Sequence, residues 1–162
     1  MLRMDRLREL CAELKLKNVR TYVQSGNVVF EAEGTASKWA QALEGKLAGE
    51  TRLPVTVIVK TAAEIAEVLA ANPFLKEKGI DPARLHVTFL RQAPEKAAIG
   101  ALAKIKGGPD RFHWAGTQIY LHCPNGYGRS KLSNTAIEKT LKVRATTRNW
   151  NTVNELHSRC AG

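Results

Sequence analysis

Residues 84–123 constrain the fold more than any other part of the chain. Arg84-Leu85-His86-Val87-Thr88-Phe89-Leu90 alternates apolar and polar positions with the period of a strand. Pro94 opens a helical segment to about Lys104, and Gly107-Gly108-Pro109 breaks it. Two strand-like runs follow, 111–114 and 118–123, separated only by Ala115-Gly116-Thr117. So short a connection makes those two runs antiparallel, because a parallel pair needs a crossover of a dozen residues or more. A purely parallel, doubly wound sheet is thereby excluded.

The remaining segments alternate helix and strand. Leu7, Leu10, Cys11 and Leu14 place one apolar stripe on a helix over 4–17. Residues 19–32 are β-branched and aromatic around Ser25-Gly26-Asn27, which fits either a hairpin or one strand with a glycine bulge. The favoured form is a strand over about 26–31, preceded by extended chain. A helix over 35–50 carries Trp39, Leu43 and Leu47. Residues 54–60 read as a strand with Pro54 at its first position, and Thr61-x-x-Glu64 as a capping box for a helix over 62–71. Residues 74–83 read as a loop, and helices over 131–142 and 148–159 complete the chain. The expected class is α+β, with mixed or antiparallel sheets and helices on one face. Two subdomains, 1–75 and 76–162, fold together as one cooperative unit.

Composition bears on function through charge. The 162 residues include 25 Lys and Arg against 15 Asp and Glu, a net +10. Residues 129–162 hold seven cations (Arg129, Lys131, Lys139, Lys142, Arg144, Arg148, Arg159) against Glu138 and Glu155, so this fifth of the chain carries +5. Such a segment suits phosphates, nucleic acid or an acidic partner. No apolar run approaches the ~18–20 residues of a membrane helix, and the first residues lack a signal-peptide block, so the expected location is the cytoplasm. Three widely spaced cysteines argue against a disulfide framework or a thiolate metal site, and read as buried thiols.

Three polar stretches stand out as candidate sites. Gln24-Ser25-Gly26-Asn27 sits where apolar strand residues are expected. Asn125-Gly126-Tyr127-Gly128-Arg129-Ser130-Lys131 combines two glycines, two cations and a serine placed to cap the helix after it. It matches neither the GxxxxGK[ST] nor the GxGxxG phosphate loop. Thr146 to Asn151 gathers hydrogen-bonding side chains around Trp150, with Thr147 as a helix cap and Trp150 as a core anchor. Turn chemistry and capping account for these stretches as well as ligand binding does. The candidate ligand-binding residues are Gln24, Ser25, Asn27, Arg129, Ser130, Lys131, Asn134, Arg148, Asn149 and Asn151.

Catalytic patterns are weak. Cys123 alternates away from His122, the serines occupy no GxSxG elbow, and the histidines and carboxylates show no metal-ligand spacing. No cofactor, metal site or catalytic residue is expected. Alternation also suggests that Leu85, Val87 and Phe89 join Phe112, Trp114, Ile119, Leu121 and Cys123 against the helices. That leaves Arg84, His86, Arg111, His113, Tyr120 and His122 on the opposite face. Such a face could stack RNA bases, but packing against the other subdomain is the preferred reading.

The runs 20–30, 128–134 and 145–153, with the strand at 84–90 and the run 120–124, resemble the bacterial family catalogued as domain of unknown function 1697. The resemblance covers nearly the whole chain. It implies a duplicated ferredoxin-like α+β fold and assigns no activity. Members of that family begin with an apolar strand and a glycine-containing loop that this sequence lacks. Either the start codon is called too late or this version lacks its first strand, and a missing strand would cost unpaired ladder groups on its neighbours. The functional expectation is a non-enzymatic module that binds a phosphate-bearing ligand such as nucleic acid. The alternatives are a small enzyme acting on an anionic molecule, or a subunit-interaction protein.

Overall fold

The structure, a computed structural model, describes residues 4–22, 27–52, 55–105 and 108–161. It is a mixed α+β protein with two antiparallel sheets and six α-helices among those residues. By contacts it divides into two compact units. The first comprises residues 1–64 and 155–162, and the second residues 65–154.

In the first unit, helix α1 (Met4–Glu13) buries Leu7, Leu10 and Cys11, the stripe that its periodicity predicts. Strands β1 (Lys17–Tyr22) and β2 (Asn27–Glu31) pair antiparallel, with a register shift between Lys17 and Arg20. This is the hairpin alternative rather than a single bulged strand. Helix α2 (Ala36–Thr51) starts where the Thr35 hydroxyl accepts the Lys38 N–H at 3.1 Å, and it buries Ala40, Leu43 and Leu47. Leu43 and Leu47 share one aliphatic cluster with α1, and Val19, Val28 and Phe30 of the hairpin pack against it.

The strand expected over 54–60 requires a correction. Residue 54 lies outside the described residues, and residues 55–60 join no ladder among them. Val55, Val57 and Val59 do pack with a period of two on the aliphatic cluster. The Val57 N–H is bonded at 3.2 Å by the carboxylate of Glu44 on α2. β-Propensity and alternation place the side chains, but a strand exists only where a neighbour completes its hydrogen bonds.

Helix α3 (Ala62–Ala70) opens with the expected capping box, Glu64 N–H to Thr61 at 3.1 Å and Thr61 N–H to Glu64 at 2.9 Å. The stretch expected to be a loop contains two 3-10 turns, Pro73–Lys76 and Pro82–Arg84, each with its proline at the first helical position. The second unit then runs β3 (Leu85–Leu90), α4 (Lys96–Ile105), β4 (Arg111–Ala115), β5 (Gln118–His122), α5 (Asn134–Leu141) and β6 (Ala145–Asn149). Its sheet order is β4-β5-β3-β6, with every neighbouring pair antiparallel. Helix α6 (Trp150–Ala161) closes the chain, and Trp150 is buried.

Register corrects the expected faces of β3. Val87 lies opposite Tyr120 and Arg148, and Thr88 opposite Ile119 and Thr147. Directly opposed residues share a face. Leu85, Val87 and Phe89 therefore lie with Arg111, His113, Tyr120 and His122, while His86, Thr88 and Leu90 share the helix side with Ile119 and Leu121. Alternation alone could not choose, because β3 is buried on both faces: five of its six residues are classed as buried.

The face with cations and aromatics is not an open stacking platform. Tyr120 is fully buried and donates its hydroxyl to the Val68 carbonyl of α3 at 2.9 Å. Phe74 lies 5.8 Å from the His122 ring, and the Arg111 guanidinium sits 5.0 Å above Phe74. Arg111 also grips Glu77 through two hydrogen bonds of 2.8 and 3.0 Å, which hold that carboxyl below its usual range. The covering residues, Val68, Phe74 and Glu77, belong to the same compact unit as the sheet.

On the helix side, His86 stacks on Tyr127 at 4.7 Å. Burial lowers the His86 pKa, opposed by the Arg84 backbone.

Two measurements follow from this packing. Tyr120→Phe removes a buried hydrogen bond and leaves the Val68 carbonyl unmet, so a loss of about 1 kcal/mol is expected in urea unfolding; an unchanged midpoint would contradict the assigned contact. His86 has a folded pKa below its unfolded value near 6.5, so the unfolded chain binds the extra proton first. Its contribution is complete above that value and declines as pH falls toward the folded pKa. His86→Phe should flatten the stability profile between about pH 7 and 5 relative to the parent. A parallel decline in both proteins would remove His86 as the cause.

Candidate functional site

The glycine loop follows β5. The Cys123 N–H bonds the Arg84 carbonyl at 3.0 Å, and the Gly126 N–H turns back to Cys123 at 2.9 Å. Gly126 has φ 97°, a conformation for which glycine is suited, and a Cβ there would stand 3.2 Å from the Arg84 guanidinium. A 3-10 turn, Tyr127–Arg129, brings Arg129 back, its N–H bonding the Gly126 carbonyl at 3.3 Å. Ser130 then accepts the Leu132 N–H at 3.0 Å, and Leu132 enters the core.

The expected cap at Ser130 is therefore corrected. Ser133 is the N-cap of α5, accepting the Ala136 N–H at 3.2 Å, and the helix starts at Asn134 rather than 131. Leu132 must be buried before the helix can begin, which shifts the cap three residues onward. The glycines thus end in a 3-10 turn, and the α5 dipole is not what they present to a ligand.

Arg129 and Lys131 nevertheless line a common cleft of about 240 Å³ with Gly108, Pro109, Asp110, Asn125 and Gly126. Both cations are exposed, whereas Asp110 is 7% exposed. The arrangement offers two charged donors and loop backbone to an anion, beside one carboxylate that disfavours indiscriminate anion capture. Arg129 and Lys131 are legible in the sequence, whereas residues 108–110 are not among its candidates. The glycine-proline break at 107–109 was visible, but its place opposite the loop depends on pairing of β4 with β5.

The other candidates have different positions. Gln24 and Ser25 lie outside the described residues. Asn27 starts β2 opposite Tyr22 and is 6% exposed, within the first unit. Asn134 donates to the Ala145 carbonyl at 3.0 Å and accepts the Thr147 hydroxyl at 2.9 Å. With its proton so directed, Thr147 receives the hydroxyl of fully buried Thr88 at 2.7 Å. This chain of hydrogen bonds ties α5 to the middle of the sheet.

The segment 145–149 is strand β6 rather than a loop with a threonine cap. Asn149 performs the capping, its side chain accepting the Thr152 N–H at 2.8 Å, and α6 begins at Trp150. Arg148 alternates to the opposite sheet face, where its guanidinium donates to the Thr147 carbonyl at 3.0 Å and burial lowers its pKa. Asn151 is exposed in the first turn of α6. Strand and helix directions thus separate Arg148 from Asn149.

Cys123 is buried on the helix side, and burial raises its pKa, which disfavours the thiolate. Cys160 is exposed, contrary to the expectation of three buried thiols. No group of three or more metal-ligating side chains occurs among the described residues. Among those residues no helix is long and apolar enough to cross a membrane.

A family model described as protein of unknown function (DUF1697) matches residues 1–120. The matched span includes β1 through most of β5 and stops before Arg129. No curated protein matches. Among solved structures, the conserved bacterial protein SP0830 from Streptococcus pneumoniae is similar with a TM-score of 0.74 at 18% identity, covering 100% of this chain and 91% of that one. At that identity the likeness concerns the fold alone. With the family match extending over most of its length, the chain belongs to the family of unknown function DUF1697.

Proposed function

We propose that this protein is a non-enzymatic binding module for a phosphate-bearing ligand such as nucleic acid, held at the cleft between residues 108–110 and 125–131. The observation that carries this reading is the pair of exposed cations, Arg129 and Lys131, in one cleft beside the glycine backbone. The net charge of +10 favours approach of polyanions to the molecule as a whole. Two cations support a modest affinity that falls with salt, because releasing counterions from the phosphates gains less entropy as bulk salt rises. The enzyme alternative asks more of Asn134 and Arg148, whose polar groups already serve the Ala145 and Thr147 carbonyls.

We also infer that the two units are copies of one ferredoxin-like β-α-β-β-α-β repeat. The second unit follows that order from β3 to β6. In the first, α1, β1, β2, α2 and residues 55–60 correspond in turn to α4, β4, β5, α5 and β6. Nothing among the described residues corresponds to β3. The cytoplasm is the location we assign, in keeping with three free cysteines.

The binding reading is tested by heparin chromatography and by titration of a labelled single-stranded RNA at several salt concentrations. The parent should bind with an affinity that declines steadily as salt rises. The double variant Arg129→Ala/Lys131→Ala should bind at least ten times more weakly with an unchanged circular dichroism spectrum. Binding without a salt slope, or equal binding by the variant, would reject the cleft as the phosphate site.

A further inference from the structure

We propose that Arg84 is a third phosphate-contacting residue beside the Arg129–Lys131 cleft, so that the ligand is a chain of phosphates and not a single one. This rests on the cleft reading given above and names the ligand class of that same site.

The glycine loop rests on residues 84 and 86, two positions on the same side of the chain that enters β3. The Tyr127 ring stacks on His86 at 4.7 Å, and the Arg84 guanidinium lies against Gly126, 3.2 Å from where a Cβ would stand. A side chain at 126 would crowd that guanidinium, so glycine serves the approach as well as the φ of 97°. Gly126 in turn borders the cleft that Arg129 and Lys131 line. One glycine is thus shared by the cleft wall and the Arg84 contact.

Backbone bonds set the place of Arg84. Its N–H bonds the Asp81 carbonyl at 2.9 Å, and its carbonyl accepts the Cys123 N–H at 3.0 Å. The second bond ties it to the end of β5, where the glycine loop departs. Its side chain has no comparable task. Arg84 is exposed, and its guanidinium makes no hydrogen bond or ion pair among the described residues. Arg111, by contrast, is committed to Glu77, and Arg148 donates to the Thr147 carbonyl.

Arg84, Arg129 and Lys131 therefore gather around residues 126–131, with the carboxylate of Asp110 as the acid of the cleft. Three like charges so placed repel one another, and an anion converts the repulsion into charge-assisted hydrogen bonds. Arg84 does not line the cleft itself. A phosphate seated at Arg129 and Lys131 leaves it unengaged, whereas a second phosphate of the same chain, continuing past Gly126, meets it. A nucleic-acid strand and inorganic polyphosphate both present such a row of charges.

The test uses the full chain with labelled single-stranded RNA, inorganic polyphosphate and orthophosphate as separate ligands. Arg84→Gln should bind the RNA about threefold or more weakly at low salt, with a log–log salt slope about 0.7 shallower than the parent's, the loss of one phosphate contact. Arg84→Lys keeps the charge and should restore the parent's slope. A residue that only braced the loop would alter the unfolding midpoint and leave the slope unchanged. Orthophosphate binding, followed by NMR shifts of the loop amides, should be equal in the parent and Arg84→Gln. Displacement of the RNA by polyphosphate would make either chain a ligand, and failure to displace it would restrict the site to nucleic acid. A parent slope retained by Arg84→Gln, or an equal loss for orthophosphate and RNA, would overturn the proposal. RNA binding that is lost in Arg129→Ala/Lys131→Ala but unaltered in Arg84→Gln refutes only the role of Arg84. Indifference to the double variant refutes the cleft, and the role of Arg84 with it.

Discussion

The second unit depends on β3. Like β5 it hydrogen-bonds on both edges, and five of its six residues are buried. Leu85, Val87 and Phe89 cover one side with Tyr120, while Thr88 and Leu90 cover the other with Ile119 and Leu121. Hydrogen-bond partners are fixed on each edge before the helices are considered. The helices α4 and α5 then close the side that carries Leu102, Ile137 and Leu141. A substitution in β3 is therefore felt by two ladders and two packed layers, whereas one in β4 disturbs a single ladder.

Polar residues near β3 serve that arrangement. The Thr88–Thr147–Asn134 chain links three elements through their side chains. Such a network specifies register because a one-residue slip between β3 and β6 would put the two threonines on opposite faces. Asn149 caps α6 and Ser133 caps α5. What remains exposed and unconsumed by this framework gathers at the loop after β5, where Arg129 and Lys131 border their cleft. The site reading therefore rests on the part of the polar signature that the fold does not use.

Much of the architecture was legible from the sequence. The stripe on α1, the capping box of α3, and the hairpin of β4 and β5 have local causes and are found where their residues place them. Errors arose where a long-range partner decides the outcome. Residues 55–60 have a strand's composition without a strand's neighbour. Residues 145–149 look like a polar loop, but pairing with β3 makes Ala-Thr-Thr-Arg-Asn a strand. The sidedness of β3 was inverted because a strand buried on both faces has no single apolar face to read. Of the candidate site, Arg129 and Lys131 could be named from local charge and glycine. Pro109 and Asp110 could not, since their approach depends on strand register.

The central claim is that β3 is the least openable element of the second unit. Residue-resolved amide exchange by NMR tests it most directly, compared with the free energy from denaturant unfolding. The account predicts that the protected amides of Val87, Thr88 and Phe89 exchange only through global opening of that unit, while amides of the edge strand β4 exchange faster through local opening. Exchange of the β3 amides at rates equal to or faster than those of β4 would contradict it.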